Sequence, residues 1–250
     1  MGKKILLILI VAFFCYNFVS AQNPQLPLPK VNIEVGKSSK PEDVSVTLQI
    51  LFLMTILSLA PAILILTTAF TRIIVVLHFL KQAMGTPQMP PAQILVGLAM
   101  FLTFFVMAPV WDVMNTTAIQ PYMNHKITTT QAYEKAVVPL REFMMKQTRE
   151  EDLALFVKMN SMPKPETRAD IPLQVLVPAF AISELRIGFQ IGFILFVPFL
   201  IIDLIVASIL MSMGMMMLPP SMVSLPFKIL LFILVDGWHL VIGSLISSFH

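Results

Sequence analysis

Four long apolar runs dominate this sequence, and they restrict it to folds whose helices are shielded from water. The runs cover residues 44–66, 92–111, 186–217 and 224–249. Each is long enough to cross the hydrocarbon core of a bilayer, which takes about 20 helical residues. Only 12% of the residues are charged, whereas about 25% are charged in an ordinary soluble domain. The sequence therefore predicts an all-α, polytopic, membrane-associated protein.

Residues 1–21 have the pattern of a secretory signal peptide. Two early lysines precede a short apolar stretch, and small residues follow it. We predict cleavage between Ala21 and Gln22; an uncleaved signal anchor is the alternative. Cleavage would remove Cys15, the single cysteine of the chain, so the mature protein would form no disulfide.

The rest of the chain divides by composition into four parts. Residues 22–43 are rich in Pro, Lys and Ser and predict a flexible leader. Residues 44–111 and residues 186–250 each hold two apolar runs, and each predicts a long helical hairpin. Residues 112–185 carry most of the charges, which predicts a small, water-facing helical domain between the hairpins.

The charged part contains two predicted helices. Apolar residues recur at helical spacing near Thr130–Lys146, with a bend or interruption expected at Pro139. Thr148 followed by Glu151 has the pattern of a capping box, which would begin a second helix over Arg149–Met159.

A membrane orientation follows from the charges and the signal peptide. Cleavage would leave the mature N-terminus outside, so the connector between the first two apolar runs would lie inside. The charges of this connector, Arg72 and Lys81, are both positive, as expected for a cytoplasmic loop. Residues 112–185 would then lie in the periplasm.

Five charged residues interrupt the apolar sequence around the second predicted hairpin: Glu184, Arg186, Asp203, Lys228 and Asp236. A charge at the centre of a bilayer costs about 2.5–3.5 kcal/mol on insertion scales. Such residues usually pair with each other or face a polar cavity. For Glu184 and Arg186, a position near a helix end with contacts to lipid headgroups is the alternative.

Helix-breaking and small residues also recur in the apolar runs. Pro219 and Pro220 separate the last two runs, and prolines within the runs free backbone carbonyls that lipid cannot satisfy. Gly188 and Gly192 have the GxxxG spacing that permits close contact between helices. This combination is typical of helices that pack in a multi-subunit assembly.

Methionines are concentrated just before the Pro219-Pro220 break, at Met211, Met213, Met215, Met216 and Met217. Three consecutive methionines cannot share one face of a helix, which favours a loop for the last three. Methionine is flexible and apolar and fills irregular gaps. A ring of such loops could seal a pore and still yield around a polypeptide; filling of an ordinary core is the alternative.

Signatures of enzymes and of nucleic-acid-binding proteins are missing from the sequence. It has no HExxH, GxSxG or Gly-rich phosphate-binding motif, and its four histidines are scattered singly. We therefore predict no catalytic, metal or cofactor site. No basic cluster suggests nucleic acid. A secondary transporter is an alternative function, although no inverted repeat supports it.

Three stretches resemble the FliP/SctR family of type III secretion export-gate proteins. Thr68–Val110 begins with Phe-Thr-Arg-Ile-Ile and includes a Gly-Thr-Pro-x-x-Pro-Pro turn. Pro178–Phe193 and Met213–Trp238 match the two signatures of the family. The similarity covers about Val44–Phe249 and is highly specific.

The resemblance implies a core channel subunit of the flagellar export gate, at the basal body in the bacterial inner membrane. Such subunits pass unfolded flagellar proteins outward and form a homo-oligomer, a pentamer, together with FliQ and FliR. FlhA and FlhB are further implied partners. By the same resemblance, Met215, Met216 and Met217 form the gasket of the closed gate, and Glu184 pairs with Lys228 of a neighbouring subunit.

The family also implies an arrangement that differs from four plain membrane spans. Its hairpins stack into a cone largely above the membrane plane, so the apolar runs would face neighbouring subunits, and residues 112–185 would pack in a periplasmic crown. The equivalent subunit of a virulence injectisome is the alternative within the family. The signal peptide and the long leader favour the flagellar branch.

Overall fold

The computed structural model describes residues 41–86, 89–160, 167, 170–215 and 218–249. The described residues are almost entirely helical and form no β-strand, which confirms the all-α class. The predicted signal peptide, its cleavage site at Ala21 and Gln22, and most of the predicted leader lie outside the described residues. The chain divides into two units, residues 1–53 and residues 54–250.

The described helices, in chain order, are α1 (Pro41–Thr67), α2 (Phe70–Ala83), α3 (Ala92–Met114), α4 (Gln120–Met123), α5 (Thr129–Gln147), α6 (Glu150–Met159), α7 (Leu173–Ser212), α8 (Pro220–Leu234) and α9 (Gly237–Ser247). A π-helical turn, Asn115–Ile119, joins α3 to α4. The first unit contributes the start of α1 to the described residues, and everything below concerns the second unit unless α1 is named.

Three stretches of helix are long and apolar enough to cross a membrane: Leu48–Thr67, Ala92–Met123 and Leu173–Ser212. A fourth is possible if α8 and α9, which meet at a bend of 64°, count as one span. These stretches correspond to the four apolar runs of the sequence. Many large apolar side chains on them are exposed in the single chain, so lipid or other protein chains must cover them.

Helix α7 extends further towards the N-terminus than the sequence indicated. It begins at Leu173 and has 40 residues, so it is about 60 Å long and about twice the thickness of a hydrocarbon core. The boundary predicted between residues 112–185 and 186–250 falls inside this continuous helix. Pro178 and Pro198 both lie inside α7, and the helix continues through each of them although proline supplies no N–H for the bond to the preceding turn.

The predicted helix near Thr130–Lys146 is confirmed as α5, and it continues through Pro139 without the interruption that the sequence allowed. The capping box, however, was predicted at the wrong place. The hydroxyl of Thr148 donates to the carbonyl of Met144 at 2.7 Å, and Arg149 is the N-cap of α6 without a side-chain cap. The hydroxyl of Thr148 therefore binds a carbonyl at the end of α5 and does not cap α6. Threonine hydroxyls often bind a backbone carbonyl of the preceding turn in this way.

The capping box of this region lies at the start of α5 instead. The hydroxyl of Thr128 accepts from the backbone N–H of Gln131 at 3.4 Å, and the side chain of Gln131 accepts from the N–H of Thr128 at 3.1 Å. This reciprocal pair satisfies two backbone donors that a helix start otherwise leaves open.

Helix α2 lies at the centre of the second unit and packs against α7 and α3. Its buried face includes Ile73, Val76, Leu77 and Leu80. The predicted GxxxG contact is formed within the chain, where Gly188 and Gly192 lie against α2. A Cβ atom at Gly192 would lie only 2.6 Å from the ring of Phe79 and 2.8 Å from the Phe79 Cβ. Only glycine permits this approach of the two helices.

We expect Gly192→Ala to destabilise the folded chain by about 1–3 kcal/mol, the usual cost of overpacking. Rotating the Phe79 ring cannot relieve the clash, because the Phe79 Cβ is itself too close. Gly97→Ala is the matched control in α3, since a Cβ atom there meets no heavy atom within 4 Å. Thermal unfolding in mild detergent should show a lower Tm for Gly192→Ala alone. Equal Tm values for the two variants would contradict the packing described.

Candidate functional site

The largest fully buried side chain among the described residues is that of Arg72, in the first turn of α2. Arg72 and Glu184 of α7 are 1% and 0% exposed, and their side chains meet in a bidentate ion pair. Nε of Arg72 donates to Oε2 of Glu184 at 3.0 Å, and Nη2 donates to Oε1 at 2.5 Å. The two residues are 112 positions apart in the sequence, so the pair fixes α2 against the N-terminal third of α7.

The remaining donors of Arg72 bind the end of α5 and the C-terminal segment. Nη1 donates to the carbonyl of Ser248 at 2.8 Å and to its hydroxyl at 3.1 Å, and Nη2 donates to Oε1 of Gln147 at 3.0 Å. All five N–H donors of the guanidinium are thereby used. Phe249 lies over the guanidinium, with its ring centroid 3.9 Å from Cζ, and its carbonyl accepts from Nε2 of Gln147 at 2.8 Å.

This network corrects one expectation from the sequence. Arg72 was assigned to a charged loop inside the cell, but it lies in helix α2 and is buried. A buried ion pair is tolerated only when its remaining hydrogen-bonding groups are also satisfied, and Arg72 meets that condition. The sequence signal that pointed to burial was its position directly before the apolar stretch Ile73–Leu77.

A second, partly buried pair ties α8 to α7. Nζ of Lys228, in α8, donates to Oδ2 of Asp203 at 2.6 Å, and the hydroxyl of Ser224 donates to Oδ1 at 2.5 Å. The side chain of Lys228 is 4% exposed and that of Asp203 is 29% exposed. Gly85, with φ of 70°, lies beside the ammonium group, since a Cβ atom there would be 3.4 Å from Nζ.

The predicted pairing of Glu184 with Lys228 concerns neighbouring subunits, and it stays a prediction. Within this chain each of the two residues already has a different partner, Arg72 for Glu184 and Asp203 for Lys228. A pair between subunits would therefore have to replace or extend contacts that already satisfy both charges.

A third group of polar residues joins α6 to α7. The hydroxyl of Ser183 donates to Asp152 at 2.8 Å and accepts from the backbone N–H of Arg149 at 3.1 Å. Arg186 contacts Glu151 at 3.2 Å. Because both members of this last pair are largely exposed, it contributes little to stability. Arg186 thus reaches the surface of the charged region and is not embedded in an apolar one.

The methionine-rich segment begins where α7 ends. Gly214 has φ of 75°, and its N–H donates to the carbonyl of Met211, while the N–H of Met215 donates to the carbonyl of Leu210. These two bonds form the Schellman motif, which ends helices at a left-handed glycine. The side chain of Met215 is exposed. The predicted gasket residues Met216 and Met217 lie outside the described residues.

Helix α8 begins just after this segment. Pro219 is its N-cap and Pro220 its first residue, positions at which the missing N–H of proline costs nothing. The Lys228–Asp203 pair lies further along α8 and α7. It therefore holds together the two helices that carry the methionine-rich segment.

Asp236 occupies a break between α8 and α9. Its backbone is left-handed, with φ of 50° and ψ of 55°, and its side chain forms no cap for α9. Gly237 follows, where a Cβ atom would lie 2.2 Å from the ring of Phe232. The break is therefore fixed by glycine and by packing, and the carboxylate of Asp236 remains exposed.

Among the described residues, no group of three or more His, Cys, Asp or Glu side chains is arranged to hold a metal ion. The three charged groups described above are structural in geometry, since their donors and acceptors are directed at one another. Of the three, the Lys228–Asp203 pair joins the two helices on either side of the methionine-rich segment.

Comparison with known proteins gives a consistent picture. The sequence model of the FliP family matches residues 53–245. A flagellar biosynthetic protein FliP from Bacillus subtilis is 59% identical over 87% of this chain and 98% of its own length. One from Aquifex aeolicus is 44% identical over 99% of both chains, and one from Caulobacter vibrioides is 52% identical over 88% of this chain and 82% of its own.

Proposed function

Because the chain belongs to the FliP family, we propose that it is a core channel subunit of the flagellar type III protein-export gate. The names of its relatives support a role in flagellar export and assembly, and its apolar helices support a membrane location. The finer proposal is that copies of the chain surround a passage through which unfolded flagellar proteins leave the cell.

The observation that carries the proposal is the run of methionines between α7 and α8, of which the described members Met211, Met213 and Met215 are exposed. Met215 is exposed at the Schellman end of α7, and the helices on either side are tied together by the Lys228–Asp203 pair. Flexible, apolar methionine side chains between two linked helices are suited to close a passage around a chain of any sequence. Met216 and Met217 complete the proposed gasket.

The apolar side chains exposed along α1, α3 and α7 support an assembly of several chains. We propose a homo-oligomer, a pentamer, that also contains FliQ and FliR and that contacts FlhA and FlhB. In this arrangement the protein is a multi-pass component of the inner membrane with residues 112–185 in the periplasm. Glu184 would contact Lys228 of the neighbouring subunit, which requires each residue to share or exchange its partner within the chain.

The flagellar names of the relatives favour the flagellar gate over the virulence injectisome. They also favour a component of an export apparatus over an enzyme or a secondary transporter. Energy for export would then come from other components of the apparatus.

Replacing Met215, Met216 and Met217 with Ala tests the gasket. We expect the assembly to keep its mass and the resting gate to leak small ions, because alanine side chains are too short to close the passage. Membrane depolarisation and potassium efflux in resting cells measure the leak. Met159→Ala is the control, an exposed methionine at the end of α6 that is distant in sequence. A triple variant as tight as the wild type would overturn the gasket proposal.

A further inference from the structure

Most charged residues of the apolar helices have a partner within the chain: Arg72, Glu184, Arg186, Asp203 and Lys228 do. In the part of the chain that the structure describes, three such side chains form no ion pair and no hydrogen bond: Lys81, Asp112 and Asp236. Asp112 lies in the last turn of α3, at the start of the charged region. Of the other two, Lys81 is a cation and Asp236 is an anion.

Asp236 lies in surroundings that do not suit a lone carboxylate. It is exposed at the bend between α8 and α9. Its neighbours Leu234, Trp238 and Leu240 are also exposed, at 74%, 38% and 54%. An apolar surface of this kind is covered by lipid or by protein, and a carboxylate beneath either cover is costly without a cation.

Lys81 is the complementary residue on α2. It lies in the last turn of that helix and is partly exposed. Neither residue can be explained by helix capping of its own element: Asp236 makes no cap bond, and a lysine near a helix C-terminus gains only a weak interaction with the helix dipole.

The two residues also lie at similar heights along the bundle. Nζ of Lys228, in α8, lies beside Gly85, just after α2. This contact serves as a reference point for comparing positions along the two helices. From there Asp236 is about 12 Å along α8, and Lys81 is about 6 Å back along α2. Both displacements run towards the level of Arg72, where the C-terminal segment also ends. The flexible stem of a lysine can span the difference.

We propose that Lys81 of one copy forms an ion pair with Asp236 of the next copy in the ring. The contact joins two different surfaces of the same chain, α2 on one copy and the α8–α9 bend on the other. Such a head-to-tail contact closes into a ring when the rotation between copies allows it. The inference rests on the proposed homo-oligomeric gate and adds to it a specific contact between copies.

Cross-linking tests the contact directly. Lys81→Cys and Asp236→Cys are introduced into differently tagged copies in a Cys15→Ala background and joined in cells by a flexible thiol-specific reagent. We expect a mixed dimer, and a ladder up to the full ring when one chain carries both cysteines. Leu240→Cys, exposed one turn from Asp236, is the control partner for Lys81→Cys and should cross-link much less.

Charge removal gives a second, independent readout. Asp236→Asn preserves the left-handed backbone, which asparagine tolerates, and Lys81→Gln preserves most of the side chain. Each variant should lower the fraction of assembled ring at least about tenfold, measured by native mass in mild detergent. The double variant should be no worse than the poorer single one, because the two residues act as a unit. Wild-type Tm values for the monomers would show that folding is intact.

The outcomes separate this contact from the wider proposal. If the wild type forms a ring but Asp236→Cys links to a smaller membrane protein or to none, the Lys81–Asp236 contact is overturned and the gate proposal stands. Additive losses in the double variant would also overturn the contact. If the wild-type chain remains monomeric in mild detergent with its partners present, the gate proposal itself fails.

Discussion

Arg72→Met is expected to destabilise the folded chain by about 3–5 kcal/mol and to abolish export. The substitution leaves Glu184 fully buried without its partner, and an uncompensated buried charge has a cost of this order. It also removes the donors to Ser248 and Gln147, so the C-terminal segment and the end of α5 lose their common anchor. Thermal unfolding in detergent and swimming motility measure the two effects.

Two companion variants identify the cause of the Arg72→Met defect. Arg72→Lys keeps the charge but offers three donors instead of a planar fork, so its Tm should fall between those of the wild type and Arg72→Met. Adding Glu184→Gln to Arg72→Met removes the orphaned charge and should recover part of the lost stability. An Arg72→Met protein with the Tm of the wild type would show that the network contributes nothing.

Much of the fold could be predicted because it depends on local composition. The apolar runs predicted the membrane-length helices, and the spacing of apolar residues predicted α5, which contains Pro139. The errors arose where two local patterns compete. Thr148 could cap the following helix or satisfy the preceding one, and its hydroxyl does the latter. Helix α7 continues from the charged region into the apolar one, because its backbone hydrogen bonds can form in either composition.

The pairing of the embedded charges could not be predicted in the same way. Sequence reasoning identified Glu184, Asp203 and Lys228 as residues that need partners, but Arg72 lies 112 positions from Glu184. No short-range pattern encodes a contact of that separation. Only the packing of α2 against α7, which Gly192 permits, brings the two side chains together.

Lys228→Glu is expected to cause the second large loss, about 2–5 kcal/mol for a buried, hydrogen-bonded charge pair that is broken. The new carboxylate would face Asp203, and Ser224 alone could not offset the repulsion between them. The helices on either side of the methionine-rich segment would separate, so export should stop. Tm in detergent measures the loss in the isolated chain, and motility measures the loss in the assembled gate.

Two reversals of Lys228→Glu distinguish the contact within the chain from the proposed contact between subunits. Adding Asp203→Lys rebuilds the α7–α8 pair with its charges exchanged, and it should restore the Tm of the isolated chain. Adding Glu184→Lys instead places a lysine against Arg72, so it cannot restore the isolated chain, because two buried cations then repel each other. If it nevertheless restores assembly and motility, Lys228 meets Glu184 of a neighbouring subunit in the working gate. If only the Asp203→Lys reversal recovers function, the pair within the chain is the one on which the gate depends.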